Sequence, residues 1–288
     1  MPGLSLGFET PVLALVLPYI QLPSIPLPFG SIHPFGIFAA LGVYIGARLT
    51  VWAARVYGPG DAQPLVGVFP WALGGGLVGA HLLHVLGYHP EALRTGGPLV
   101  LLKIWDGVSS IGGALGGMAG IALYFRKHRL RLRPYLDAIA LGVAPGWAIA
   151  RIGCSVVHDH PGVLSQAWLA VNFPGGPRLD MGLLDFVLLA ALTLVLYLLS
   201  RRHRPAGFLA GVLTVGYCVP RFFLDFYRAN DLAFVDGRIG GLTPAQWITP
   251  VLAAIGVYLL VSKPAEAPAQ PTPSAGDLAE TRVDERLP

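Results

Sequence analysis

Seven stretches of this chain are too apolar for a water-soluble protein and close to the length that crosses a bilayer. They fall at about 33–54, 65–86, 108–125, 136–157, 183–200, 207–226 and 245–261. A helix needs roughly 20 apolar residues to cross the hydrocarbon core. Backbone polar groups find no water there, so a spanning segment must bond internally as a helix or close into a barrel. The expected fold class is therefore all-α: a polytopic helical membrane protein of about seven spans. Charged residues make up 12% of the chain, against about 25% in soluble domains, which excludes a soluble enzyme. The runs Gly74-Gly-Gly-Leu-Val-Gly79 and Gly112-Gly-Ala-Leu-Gly-Gly117 suit close helix approach. No strand precedes them and no Lys-Ser/Thr follows, so a nucleotide-binding loop is a poor reading.

Orientation follows from the basic residues. Arg48 and Arg55, then the five Lys/Arg of Arg126-Lys-His-Arg-Leu-Arg-Leu-Arg133, then Arg201, Arg202 and Arg204, then Lys263, all fall on alternate connections. The other connections carry Arg94, Lys103, Arg178, Arg228 and Arg238, spread over longer stretches. The positive-inside rule then predicts an outer N-terminus and a cytoplasmic C-terminus. The net charge of +4 and the pI near 9.2 are explained by these loops, so nucleic acid is not an expected partner. Residues 1–32, broken by Pro11, Pro18, Pro23, Pro26 and Pro28 and lacking a basic leader, read as an outer interfacial segment rather than a cleaved signal. Residues 33–262 read as the membrane domain, and 263–288, rich in Pro, Ala, Glu and Asp, as a disordered cytoplasmic tail.

This orientation gathers the polar side chains at one end. His33, Phe35, His81, His84, His89, Asp106, Ser109, Ser110, Arg151, Asp185, Arg221, Asp225 and Arg228 are all placed on the outer side. Asp137 is an exception on the inner side. Arg151 opens the stretch Arg151-Ile-Gly-Cys-Ser-Val-Val-His-Asp-His160, which ends an apolar span with charge. Ionisable groups at such depth are costly and mark a functional site by default. Arg221, Asp225 and Arg228 are spaced four and three apart, so they share a helix face. Arginine grips phosphate bidentately, and Arg151, Arg221 and Arg228 suit a phospholipid headgroup. A structural ion-pair network holding the helices together is the equal alternative from this feature. Cys154 and Cys218 show no metal or disulfide spacing and read as small buried side chains.

Four motifs carry a resemblance. Arg151-Ile-Gly153 resembles the Gly-Arg-x-Gly-Asn-Phe-x-Asn-Gly-Glu core of the prolipoprotein diacylglyceryl transferase family. Arg221-Phe-Phe-Leu-Asp-Phe-Tyr-Arg228 resembles its Arg-Phe-x-x-Glu-x-x-Arg. Pro177-Arg-Leu-Asp-Met-Gly-Leu-Leu-Asp185 resembles its Pro-Arg-His-Pro-Ser-Gln-Leu-Tyr-Glu, and Asp106-Gly-Val-Ser-Ser-Ile-Gly-Gly113 its Gly-Gly-Met-Ser-Phe-His-Gly-Gly. The resemblance implies a seven-span enzyme of the bacterial cytoplasmic (inner) membrane. It implies transfer of a diacylglyceryl group from phosphatidylglycerol to the lipobox cysteine thiol beside a prolipoprotein signal peptide, with glycerol phosphate released and no metal or soluble cofactor. Arg151, Arg221, Asp225 and Arg228 would bind the lipid.

The proton-handling positions differ from the family pattern. Ile111 stands where the family has histidine, Cys154 where it has asparagine, Val157 and Asp159 for the second asparagine and the glutamate, and Phe35 for a tyrosine. His158, Asp159 and His160 are the expected replacement catalytic group, because a histidine oriented by a carboxylate can act as base near neutral pH. The ligand types of His81, His84, His158 and His160 also suit zinc, but their spacing is weak and no metal site is assigned. A divergent paralogue with another acceptor, or a non-catalytic lipid-binding protein, stays open. A transporter is disfavoured because the ionisable residues avoid the bilayer midplane.

Overall fold

A computed structural model describes residues 16–28, 30–103, 107, 109–232 and 238–262. Asp106 and the tail 263–288 lie outside the described residues. The apolar stretches are helices: α1 (Pro34–Val56), α2 (Gln63–Leu83), the short α3 (Glu91–Gly96), α4 (Ser110–Lys127), α5 (Leu136–Val157), α6 (Met181–Ser200), α7 (Phe208–Leu224) and α8 (Pro244–Val261). Proline in the first turn starts α1, α2 and α8, where its missing N–H is no loss. Side chains of Ser109, Asp180 and Thr243 cap α4, α6 and α8. Thr243 does so with Gln246 in a reciprocal capping box, which satisfies two otherwise orphaned N–H groups.

Among the described residues, six helices are long and apolar enough to cross a membrane. The expected third span, α4, is not one of them. Its glycines and its Arg126-Lys127 end lower its hydropathy, although it lies alongside α2.

The all-α expectation also omitted two small sheets. Strands β1 (Ile25–Leu27) and β2 (Gly30–Ile32) form a hairpin, while β3 (Pro161–Leu164), β4 (Ala170–Phe173) and β5 (Gly176–Asp180) form an antiparallel sheet in the order β3-β5-β4. The β4–β5 reversal runs through Gly175 and Gly176 at φ +95° and +126°, where side chains are strongly disfavoured. These strands are three to five residues long, too short to show an alternating pattern beside the long spans. Leu17 pairs with Val171 through Leu17 N–H to Ala170 O and Asn172 N–H to Leu17 O, so residues 16–32 strap across the sheet.

Glycine seams join the helices in pairs. A Cβ on Gly42 of α1 would lie 2.3 Å from the Gly146 carbonyl oxygen of α5, and one on Gly116 of α4 would lie 2.1 Å from that of Gly75 on α2. Lipid offers little hydrophobic drive between helices, so this close contact supplies the attraction. A second core, with Ala144, Ala148, Leu189, Leu213 and Tyr217, joins α5, α6 and α7. At the α7 start, the Asp137 carboxylate accepts from Gly207 N–H and Ala210 N–H, both at 3.0 Å, which fixes α7 on α5. The polar site lies at the opposite ends of these helices.

Candidate functional site

The end of α5, the start of α6 and the end of α7 meet at one place. Gly182 makes the meeting close: a Cβ there would fall 2.9 Å from Cys154 Cβ. Gly153 does the same against α1, where a Cβ would sit 3.2 Å from Phe35 Cα. Both residues of the Arg-x-Gly-Cys segment are thus held by neighbouring backbone.

The charged residues form one buried network. Arg221 Nη1 donates to both Asp185 oxygens at 3.0 and 3.2 Å, and its Nη2 lies 2.7 Å from Asp225 Oδ1. Arg228 Nε donates to the same Asp225 oxygen at 3.1 Å, and the Thr243 hydroxyl donates to Asp225 Oδ2. Arg151 Nε lies 3.3 Å from Asp185 Oδ2, outside hydrogen-bond geometry. Its guanidinium also faces Cys154 Sγ, at 3.6 Å from Nη1, and the Trp147 ring at 5.9 Å. Asp185 and Asp225 are each 1% exposed. Three guanidinium groups thus face two buried carboxylates. The sequence brought out Arg221, Asp225 and Arg228 by spacing. It gave no role to Asp185, which links α5 to α7, or to Thr243 and Gln246. The signal for Asp185 was present, as an acidic residue one turn inside an apolar span.

The His158–His160 run divides in two. His158 ends α5 in the left-handed conformation, at φ 54°, and its ring is held on three sides. Nδ1 lies 2.7 Å from Asp180 Oδ2, Nε2 lies 3.1 Å from Ile20 O, and Tyr19 stacks on the ring at 4.1 Å between centroids. Both ring nitrogens thus face acceptor oxygens. Burial pushes the Asp180 carboxyl up. His158 therefore ties the 16–32 strap and the α6 cap to the end of α5.

The left-handed turn also reverses the chain. Asp159 and His160 fold back beside Cys154, and one ligand-type atom from each of the three lies within 4.8 Å of the others. Cys154 is buried, His160 half-buried, and Asp159 reaches solvent. Surrounding protein pushes the Asp159 carboxyl up to about 6, against the pull of Arg151. Desolvation, with the charges of Arg228, Arg151 and Arg221, pushes His160 down to about 3. At neutral pH His160 is thus a neutral imidazole and Asp159 a carboxylate close to its titration point.

The remaining polar residues are placed elsewhere. His81 is buried with both ring nitrogens engaged, by Gly107 O at 3.2 Å and Val100 O at 3.0 Å. His84 stacks near His89, which pairs with Glu91. The four-histidine arrangement considered for zinc is not formed, because His81 and His158 are both spent on such contacts. His33 bonds Ser24 and Ser31 at a cavity of about 430 Å³ bordered by Gln21, Leu22, Pro34 and Val157. Arg178 bonds Gly162 O and pairs with Asp231.

A profile of the prolipoprotein diacylglyceryl transferase family matches residues 24–262. The chain belongs to this family. A phosphatidylglycerol–prolipoprotein diacylglyceryl transferase of Chromohalobacter salexigens is 31% identical over 262 residues, covering 86% of this chain and 94% of its own. Proteins of the same name from Pseudoalteromonas atlantica (30% identity, 86% and 92% covered) and Cereibacter sphaeroides (28%, 84% and 97%) are similar throughout.

Proposed function

We propose that the chain transfers a diacylglyceryl group from phosphatidylglycerol to the cysteine thiol of a prolipoprotein. The observation that carries this reading is the buried network of Arg151, Arg221 and Arg228 around Asp185 and Asp225. Its guanidinium groups offer the planar, charged donors that grip a phosphodiester. When the carbon–oxygen bond to phosphate breaks, a second negative charge develops, and fixed guanidinium groups stabilise it without reorganising. Asp185 and Asp225 hold the arginines in place, so the phosphate meets a preset array.

The acceptor is the lipobox cysteine that follows a signal peptide. Asp159 is the group placed to relieve its thiol of a proton, at the solvent-reaching rim beside Arg151, and His160, a neutral imidazole, is placed to hydrogen-bond the thiol. His158 is a positioning residue in this reading. The enzyme sits in the bacterial inner membrane with seven spans, α4 included, its N-terminus outside and C-terminus cytoplasmic, as the loop charges favour. Residues 16–32 then lie at the outer interface, where lipid and precursor meet.

Expression in bacteria depleted of their own diacylglyceryl transferase, with the mass of a reporter lipoprotein followed, tests this. A gain of one diacylglyceryl group is expected. No gain, with the protein present in the membrane, overturns the transferase reading and moves weight to a paralogue with another acceptor.

A further inference from the structure

We propose that strap residues 21–24 are the docking edge for the acceptor, whose segment just ahead of the cysteine lies extended along them in the cavity between the strap and the tips of α1 and α5. The inference rests on the transferase reading and deepens it by placing the peptide beside Asp159.

The main chain of the strap is the first support. Residues 18–24 run from the Leu17 bridge to β1 without a helix or turn. Leu17 is paired with β4 through both its N–H and its carbonyl. Further on, the Ile20 carbonyl faces His158 Nε2 at 3.1 Å, and Leu22 N–H donates to Val156 O at 3.0 Å. In an extended chain, alternate residues turn their main-chain groups to opposite sides. Ile20 and Leu22 are spent on α5, so Gln21 and Pro23 turn theirs away from it. Among the described residues, Gln21 N–H, Gln21 O and Pro23 O have no main-chain partner. Open groups along an extended segment are what an incoming peptide strand pairs with.

The cavity is the second support. Gln21 and Ser24 of the strap, His33 at the start of α1 and Val157 at the end of α5 are among its lining residues, and no Asp, Glu, Lys or Arg is. A second phosphate group would therefore find no counter-charge there. The Ser24 and Ser31 hydroxyls hold the His33 ring at 2.7 and 3.2 Å, which fixes the rim. Around it, Ile20, Leu22, Ile25, Ile32 and Phe35 are each between 40% and 60% exposed. An apolar patch rimming a polar slot marks an interaction surface. It suits a peptide that bonds through its main chain and carries apolar or small side chains. A signal peptide is of that kind, an apolar run followed by small residues. Acyl chains would touch the same apolar side chains but would leave the Gln21 and Pro23 main-chain groups unpaired.

Val157 joins this cavity to the site. It precedes His158, whose left-handed turn brings Asp159 back beside Cys154. A strand advances about 3.3 Å per residue. A peptide held in the cavity by residues two or three ahead of its cysteine can therefore carry the thiol roughly 7–10 Å further on, toward that rim. The same strap residues that face the cavity are neighbours of those that hold the turn, so docking the peptide and fixing Asp159 are tasks of one segment.

The test uses the full chain in lipid nanodiscs and a lipobox peptide whose cysteine is replaced by serine, so that it binds without turnover. This analogue should slow amide hydrogen exchange across residues 18–24, and a benzophenone-bearing residue in place of Leu22 should capture it. Gln21→Pro removes a main-chain donor and should raise the KM for the cysteine peptide by about 2–10-fold, with kcat and the KM for phosphatidylglycerol unchanged. Gln21→Ala keeps the N–H and should have the smaller effect; equal effects in folded variants overturn the main-chain pairing. If Gln21→Pro lowers the melting temperature sharply, exchange and capture on the otherwise unaltered chain decide. Unchanged exchange with no capture overturns the inference, and so does capture of a photoactivatable phospholipid at Leu22 in place of the peptide. Transfer that proceeds in the same preparation then leaves the transferase reading standing. Capture of the analogue with no transfer to the cysteine peptide supports the docking edge while the transferase reading fails.

Discussion

The arginine–aspartate network and the Cys154–Asp159–His160 cluster are neighbours built in opposite ways. In the network, Asp185 and Asp225 are each 1% exposed and each pairs with two arginines, Asp185 across helices and Asp225 with Arg221 and Arg228 four and three positions away. In the cluster, three side chains from one short stretch meet across a helix end, Asp159 and His160 at the accessible rim over a buried Cys154. Binding a phosphate requires fixed charge, which helices from different parts of the chain must hold. Activating a thiol requires only a proton acceptor at the rim, so that half can change without unpicking the helix packing.

The largest effect should come from Arg221→Ala or Asp185→Asn, each of which strands a buried charge. Breaking a buried pair costs about 3–5 kcal/mol, so the melting temperature in detergent should fall together with transfer. Arg221→Lys sharpens the point: it keeps the charge but loses the fork that spans Asp185 and Asp225, and transfer should drop by about 10²–10³-fold with a smaller loss of stability. Next, Asp159→Asn and His160→Ala should each lower transfer by about 10²–10⁴-fold while the melting temperature barely moves. A large stability loss there would erase the contrast between the two regions.

His158→Ala should behave in reverse. It leaves Asp180 Oδ2 and the Ile20 carbonyl without their ring donor, at about 1–3 kcal/mol for such a loss, and the 16–32 strap should become more open to protease. The pH profile gives a smaller effect. Asp159, pushed up to about 6, is a carboxylate above that value and a neutral acid below it, so transfer should fall as pH drops through about 6. The smallest effect should be that of Asp231→Asn, which loosens an exposed partner of Arg178 away from the network and should leave transfer nearly unchanged.

Composition and spacing alone determined much of this protein. Apolar runs placed the helices within a few residues, because a membrane leaves the backbone no alternative to internal bonding. The three- and four-residue spacing of Arg221, Asp225 and Arg228 announced a shared face, because helix geometry is local. The glycine runs announced close seams for the same reason. Other features are decided by contacts between residues far apart in sequence, and the tertiary structure alone supplies those. Asp185 pairs with Arg151 and Arg221 across 34 and 36 positions, and His158 is captured by Ile20 and Asp180. The sequence shows a His-Asp-His run in which all three residues look alike. A positive φ at a non-glycine residue, stabilised by a strap from the far N-terminal side, turns one of them away and sends the other two back to Cys154. Backbone strain of that kind persists only when distant residues hold it, and no local pattern records which ones do.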